Sequence, residues 1–143
     1  MSLFATLSIA GSGMSAEAER LSAIASNVAN ANSAVGAGGQ PYRAREVVFQ
    51  AASLQGEGDD DGNDPTTTGM SGVKVAAIVE SDAPTHPVYD PSSTFADDKG
   101  YVQMPNVNPV DEMVNMISAQ QDYQANLEAF NVAKTLAVRT LSI

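Results

Sequence analysis

Cysteine and tryptophan are absent from this 143-residue sequence, and histidine occurs once, at His86. Without cysteine there are no disulfides, no thiol catalysis and no cysteine-based zinc site, and the lack says nothing about compartment. One imidazole cannot build a histidine metal site, and no serine sits in a G-x-S-x-G elbow, so a hydrolase triad has no foundation. Basic residues are scarce as well: 7 Lys and Arg stand against 17 Asp and Glu, for a net charge of -10. They form no cluster of the kind that phosphate binding needs, which argues against nucleic acid as a partner. Aromatics make up 6% of the chain, so few large side chains are available to fill a thick core. No apolar run approaches the roughly 18 residues of a membrane span, so direct membrane insertion is not expected. The stretch Met1–Ala10 is mildly apolar without a basic n-region, and no cleaved signal peptide is expected.

What is present falls into three parts. Residues 1–50 hold three acids and three bases, residues 51–100 ten acids and two bases, and residues 101–143 four acids and two bases, so most of the negative charge lies in the middle. In the first part Leu7, Met14, Leu21 and Val28 recur at seven-residue spacing. Leu3, Ala10, Ile24 and Ala31 form a second series, broken by Glu17. This is a helical seam of the a/d kind, predicted to run from about Leu3 to Asn32 although Gly11 and Gly13 weaken it. In the last part Asn108-Pro109-Val-Asp111-Glu112 supplies an N-cap, a proline at the first helical position and two carboxylates at the positive end of the dipole. Behind it Met113, Met116, Ile117, Tyr123, Leu127, Phe130, Ala137 and Leu141 make a stripe interrupted by Gln120 and Lys134. Between the helices, residues 41–49 and 73–79 are rich in Val, Ile and aromatics and read as strands. Residues 55–72 read as a mobile acidic loop, and the five prolines of residues 81–109, the last of them Pro109, keep that stretch extended. The fold class is therefore α+β and mainly helical: an N-terminal core helix in 1–35, a small irregular β-rich region in 36–108, and a C-terminal core helix in 109–143. The two long helices are expected to pair as a coiled-coil-like bundle.

Several constellations invite chemistry and do not sustain it. Gly11-Ser-Gly13-Met-Ser-Ala16 matches the G-x-G-x-x-A dinucleotide fingerprint, but the octet before it lacks a β-branched run, the heptad passes through the glycines in phase, and no second βαβ unit follows. Small residues that admit a neighbouring helix explain it better; a strand over residues 2–9 would restore the nucleotide reading, and a helix continuous through Gly13 would remove it. The stretch Glu57–Asp64 resembles the start of a calcium loop. With Gly62 at the sixth position, however, the first is Glu57 and the twelfth is Thr68, where a bidentate Glu is required. Asp97-Asp98 sits in a turn before Gly100, and Asp111-Glu112 is accounted for by the helix start. No catalytic, cofactor-binding or metal-binding residue is assigned, and the chain is not read as an enzyme.

A narrow seam on a single long helix cannot bury itself. The two helices either pack only on each other or pair and then use their Ala-, Gln- and Asn-rich faces on neighbouring copies or partners. At this point the residues resemble a known family. Ser12-Gly-Met14, Ser26-Asn27-Val-Ala-Asn30-Ala-Asn32, Pro41-Tyr42-Arg43 with Val47-Val48-Phe49, Gly100-Tyr101-Val102, Pro105-Asn106-Val107-Asn108, Glu112-Met113-Val114 and the Tyr123–Lys134 helix follow one another in the order found in bacterial flagellar basal-body rod proteins of the short proximal-rod type. Departures lie in the middle, at Pro91-Ser92-Ser93-Thr94-Phe95 and in the Gly/Asp-rich loop of residues 56–69. Gln120-Gln121-Asp122 stands where the family often has Arg.

The resemblance implies a structural axial subunit without catalysis or cofactor, exported uncleaved through the flagellar export apparatus. Its terminal helices would line a hollow, periplasm-spanning rod, with other rod subunits and the basal-body ring and export apparatus as partners in a homo- and hetero-oligomeric helical assembly. The subunit-interface residues expected on this reading are Leu7, Met14, Leu21, Ile24, Asn27, Val28 and Asn30 on the first helix, and Met113, Met116, Ile117, Tyr123, Leu127, Phe130 and Leu141 on the second. The seams alone also fit a helical adaptor or scaffold outside the flagellum.

Overall fold

The computed structural model describes residues 3–34, 40–53 and 71–141. Six elements follow in order: α1 (Leu3–Asn30), β1 (Arg45–Ser53), β2 (Ser71–Glu80), β3 (His86–Tyr89), β4 (Tyr101–Met104) and α2 (Pro109–Leu141). Helix α1 runs unbroken through Gly11 and Gly13, which removes the nucleotide reading. It stops at Asn30, two residues short of expectation, because the Ser33 N–H donates to the Asn30 carbonyl (3.0 Å) and closes a turn there. Helix α2 starts as its residues dictate: the Asn108 Oδ1 accepts the Val110 N–H (3.1 Å), the Glu112 N–H donates to the Asn108 carbonyl (3.0 Å), and Asp111 and Glu112 fill the first turn.

The middle holds two antiparallel two-stranded ribbons, β1–β2 and β3–β4. The first pairs Arg45 with Glu80 and Ser53 with Ser71; its register jumps between Val48, opposite Ala77, and Phe49, opposite Val75, which leaves Ala76 as the extra residue of a bulge. Residues 41–44 do not join the ladder, although the sequence pattern starts the strand at Pro41, which has no N–H to give. The extended stretch after Ser81 contains the second ribbon, with His86 opposite Met104 and Tyr89 opposite Tyr101. At its tip the Asp97 Oδ1 accepts the N–H groups of Lys99 (2.9 Å) and Tyr101 (2.8 Å), and Gly100 takes a left-handed φ of 81°.

Helix α1 is the hub. It packs against α2 and against both β1 and β2, whereas α2 touches no other described element and β3–β4 contacts neither helix. The buried apolar residues are mostly alanines: Ala10, Ala16, Ala23 and Ala31 on or just after α1 and Ala119 and Ala133 on α2; Ile24 on α1, Val102 on β4 and Val107 just before α2 complete the set. The core is a thin seam of small side chains between two helices, with no thick centre.

Candidate assembly interface

Helix α2 presents Pro109, Glu112, Met116, Ala119, Tyr123, Asn126, Phe130, Ala133 and Ala137 as its buried or half-buried residues, at alternating steps of three and four. On α1 the matching buried set is Ala10, Gly13, Ala16, Ala23, Ile24 and Asn27. The helices approach so closely at Gly13 that a Cβ built there would lie 2.9 Å from Asn126 Nδ2. Arg20 bridges the pair to Asp122 at 3.7 Å, an exposed contact of little energetic weight.

Where α1 ends and α2 begins, Asn27 organises a corner. Its side chain is 2% exposed. Its Oδ1 accepts the Tyr42 hydroxyl (2.9 Å) and the Arg45 N–H (2.8 Å), and its Nδ2 donates to the Arg45 carbonyl (3.0 Å) and to Glu112 Oε2 (2.9 Å). A second asparagine continues the join: Asn106 Oδ1 accepts the Ala44 N–H (2.8 Å) and its Nδ2 reaches the carbonyls of Ala83 (2.9 Å) and Ser81 (3.3 Å). At the far end of the first ribbon, the Val73 N–H donates to Ser12 Oγ (3.1 Å). The ribbon thus lies along α1 from Asn27 to Ser12.

Burial raises the Tyr42 hydroxyl above its ordinary pKa of 10.0; Arg45, whose guanidinium stands 5.8 Å from the ring centroid, opposes the shift, and Glu80 and Glu112 add to it. The unfolded chain therefore releases this proton first, and stability falls as pH rises past 10 toward the raised folded value. Tyr42→Phe is expected to flatten that alkaline loss and to lower stability at neutral pH by about 1 kcal/mol, the worth of one hydrogen bond. Denaturant unfolding of both proteins from pH 7 to 11 measures the two effects.

The outward side of α2 has a different character. Val110, Met113, Val114 and Ile117 recur at i, i+3, i+4 and i+7 on the face away from α1, and they are 67%, 54%, 61% and 56% exposed. Val132, Leu136 and Val138 are exposed further along the same helix, as are Phe4 on α1 and Val48, Phe49, Ile78 and Val79 on the first ribbon.

The residues expected at an interface thus divide. Ile24 and Asn27 are buried, and Leu7, Met14, Leu21, Val28 and Asn30 are half-buried on α1. Met116, Tyr123 and Phe130 are half-buried on the face that meets α1, while Met113, Ile117 and Leu127 are exposed. The side chain of Leu141, the calcium-like stretch and loop residues 55–70 lie outside the described residues. Sequence reasoning does not single out Val110 and Val114 as surface residues, although the spacing of 110, 113, 114 and 117 marks a second apolar face. Among the described residues no group of three His, Cys, Asp or Glu gathers to hold a metal, and no helix is long and apolar enough to cross a membrane.

The helix pair thus draws its two halves from opposite ends of the chain, with one side closed by small residues and the other apolar and exposed. Residues 7–37 match the family profile described as "Flagella basal body rod protein", and residues 98–143 the profile described as "Flagellar basal body rod FlgEFG protein C-terminal". The matches fall one on each helix, and the class is that of the flagellar rod proteins. The flagellar basal-body rod protein FlgC of Salmonella typhimurium is 47% identical over 143 residues, which is all of this chain and 98% of that one. The protein of the same name from Escherichia coli O157:H7 is 48% identical with the same coverage, and that of Borreliella burgdorferi 34% identical over 158 aligned residues, again covering 100% and 98%. The chain belongs to the FlgC family of flagellar basal-body rod proteins, which are structural rod subunits and not enzymes. The adaptor alternative finds no support in these relatives.

Proposed function

We propose that this subunit builds the rod by docking the outward faces of its helix pair against neighbouring subunits, copies of itself and other rod proteins, so that the paired helices of successive subunits form a coiled-coil-like core. The carrying observation is that α2 touches only α1 among the described elements and leaves Val110, Met113, Val114 and Ile117 in water. Burying a side chain the size of Ile117 is worth about 2 kcal/mol, so four of them on one helical face are a strong pull toward a partner. In this arrangement the helices of 1–35 and 109–143 lie toward the rod axis and the β-rich 36–108 further out. Leu7, Met14, Leu21, Val28 and Asn30, half-buried on α1, join Leu127 in completing contacts with neighbours. The subunit would then hold a periplasm-spanning position next to the basal-body ring and export apparatus. Export without a cleaved signal peptide belongs to the same proposal, supported by the use of Leu3–Ala10 as the first turns of α1.

Ile117→Asp tests the proposal. Because the side chain is already 56% exposed, the change is expected to alter the melting of the purified chain by no more than about 0.5 kcal/mol while abolishing incorporation into basal bodies and swimming in a strain lacking the wild-type gene. A variant that assembles and swims normally would mean that this face of α2 meets no neighbour.

A further inference from the structure

We propose that Asn27 and Glu112 form a latch that makes the placement of the β1–β2 ribbon conditional on the pairing of α1 with α2. The inference rests on the geometry of the corner and is independent of what covers the outer faces. A carboxamide has four hydrogen-bonding positions, two N–H bonds and two lone pairs, and on Asn27 all four are taken. Three go to the residues that lead into the ribbon: the carboxamide pairs with both the N–H and the carbonyl of Arg45, as a neighbouring strand would, and accepts the Tyr42 hydroxyl. The fourth goes to Glu112 on α2.

The two attachments support each other because each buries the other. If the ribbon leaves, three positions on Asn27 lose their partners and the corner that orients its amide toward Glu112 is gone. If α2 leaves, one N–H of Asn27 is unpaired and the buried carboxamide opens to water on the side that Glu112 closed. Bonds sharing one rigid amide in a buried corner couple favourably, whereas bonds on separate side chains add. Glu112 is moreover held in the first turn of α2, whose start is set by the Asn108 cap, so it cannot follow the ribbon without unwinding that turn. A neighbour that displaces α2 therefore loosens the root of the ribbon. At its far end the ribbon is also tied to α1 through Ser12, and both of its strands pack on that helix.

The polarity of the Asn27–Glu112 bond supplies the test. In Asn27→Asp the Nδ2 is replaced by an oxygen, which faces the Glu112 carboxylate at 2.9 Å and the Arg45 carbonyl at 3.0 Å. Both bonds become repulsions. Amide hydrogen exchange on the full chain is expected to show roughly a hundredfold loss of protection in β1 and β2 and in the first turns of α2 together, the scale of losing a buried hydrogen bond to a charged group. Glu112→Gln alone keeps an acceptor for Asn27 and is expected to change protection by about twofold, from the weakened helix-dipole contact. When Asn27→Asp and Glu112→Gln are combined, the new amide on α2 can donate to the new carboxylate on α1, and protection is expected to return at least tenfold in the ribbon and in α2 alike. A double variant no better protected than Asn27→Asp overturns the latch, because a site that only fills space would not respond to reversed bond polarity. Recovery of the ribbon without α2, or a wild-type chain whose ribbon exchanges freely, overturns it equally.

Discussion

Gly13→Leu is expected to force α1 and α2 apart and to lower stability by about 3 kcal/mol, the upper part of the usual range for overpacking a closed seam. A Cβ at this position would stand 2.9 Å from Asn126 Nδ2 and 3.0 Å from its Cγ and Oδ1. The first carbon alone can be met by a small turn of the Asn126 carboxamide. The branched carbons beyond it cannot, because the opposite wall is the helix itself. Helix propensity pulls the other way: alanine and leucine are each better than glycine by nearly 1 kcal/mol inside a helix. Gly13→Ala is therefore expected to be close to neutral, strain offsetting propensity. Gly11→Ala, with nothing within 4 Å of the added carbon, is expected to stabilise by up to about 1 kcal/mol. Thermal melts of the three variants separate the two effects. If the leucine variant melted higher than the parent, propensity would outweigh crowding and the close approach at Gly13 would be without consequence.

That glycine also shows what is legible in the sequence. The start of α2 is, because its chemistry is local: Asn108 caps, Pro109 fits the first position, and both act within four residues of where they stand. The existence of α1 and of a helical pair is legible from periodicity. The faces are legible only in part. Of the second series read in α1, Ala10, Ile24 and Ala31 are buried as the pattern predicts. The heptad of Leu7, Met14, Leu21 and Val28 stands out on any hydrophobic count yet is only half-buried, while Gly13, Ala16 and Ala23, which the pattern passes over, are buried. Close packing of two helices selects the small side chains, which a scale of apolarity ranks low. In α2 one stripe in the sequence merges two faces: Met116, Tyr123 and Phe130 toward α1, and Met113 and Ile117 away from it, with Leu127 at the edge between them. Steps of three and four residues are common to both, so periodicity alone cannot divide them. Asn27 stands out through the family motif, but its role rests on partners 15, 18 and 85 residues away, brought together only by the fold. The second ribbon reads in the sequence simply as an extended, proline-rich stretch. Its strands are four residues each, too short for an alternating pattern to register.

Ala133→Asp is expected to have the largest effect of any single change in the helix pair. Ala133 is 5% exposed, on the seam that meets the N-terminal half of α1. Among the described residues a carboxylate there has no cation to pair with across the seam: the basic residue of α1 is Arg20, already shared between Glu17 and Asp122, and Lys134 and Arg139 on α2 are exposed. The aspartate side chain is also too short to carry the charge to the surface, as a lysine stem would. An unpaired charge in such a place typically destabilises by roughly 3–5 kcal/mol. Domains of this size have about 5–15 kcal/mol in total, and a seam built mainly of alanines belongs at the low end, since each buries little area. The variant has one route to relief, which is to unzip the pair from this end and let residues 3–10 and 130–141 exchange with water. Loss of helical circular dichroism at room temperature, with protection retained around Asn27 and Glu112, would show that the corner holds after the open end has separated. A variant that melts within about 1 kcal/mol of the parent, near the usual scatter of surface changes, would place Ala133 outside the contact that holds the helices together.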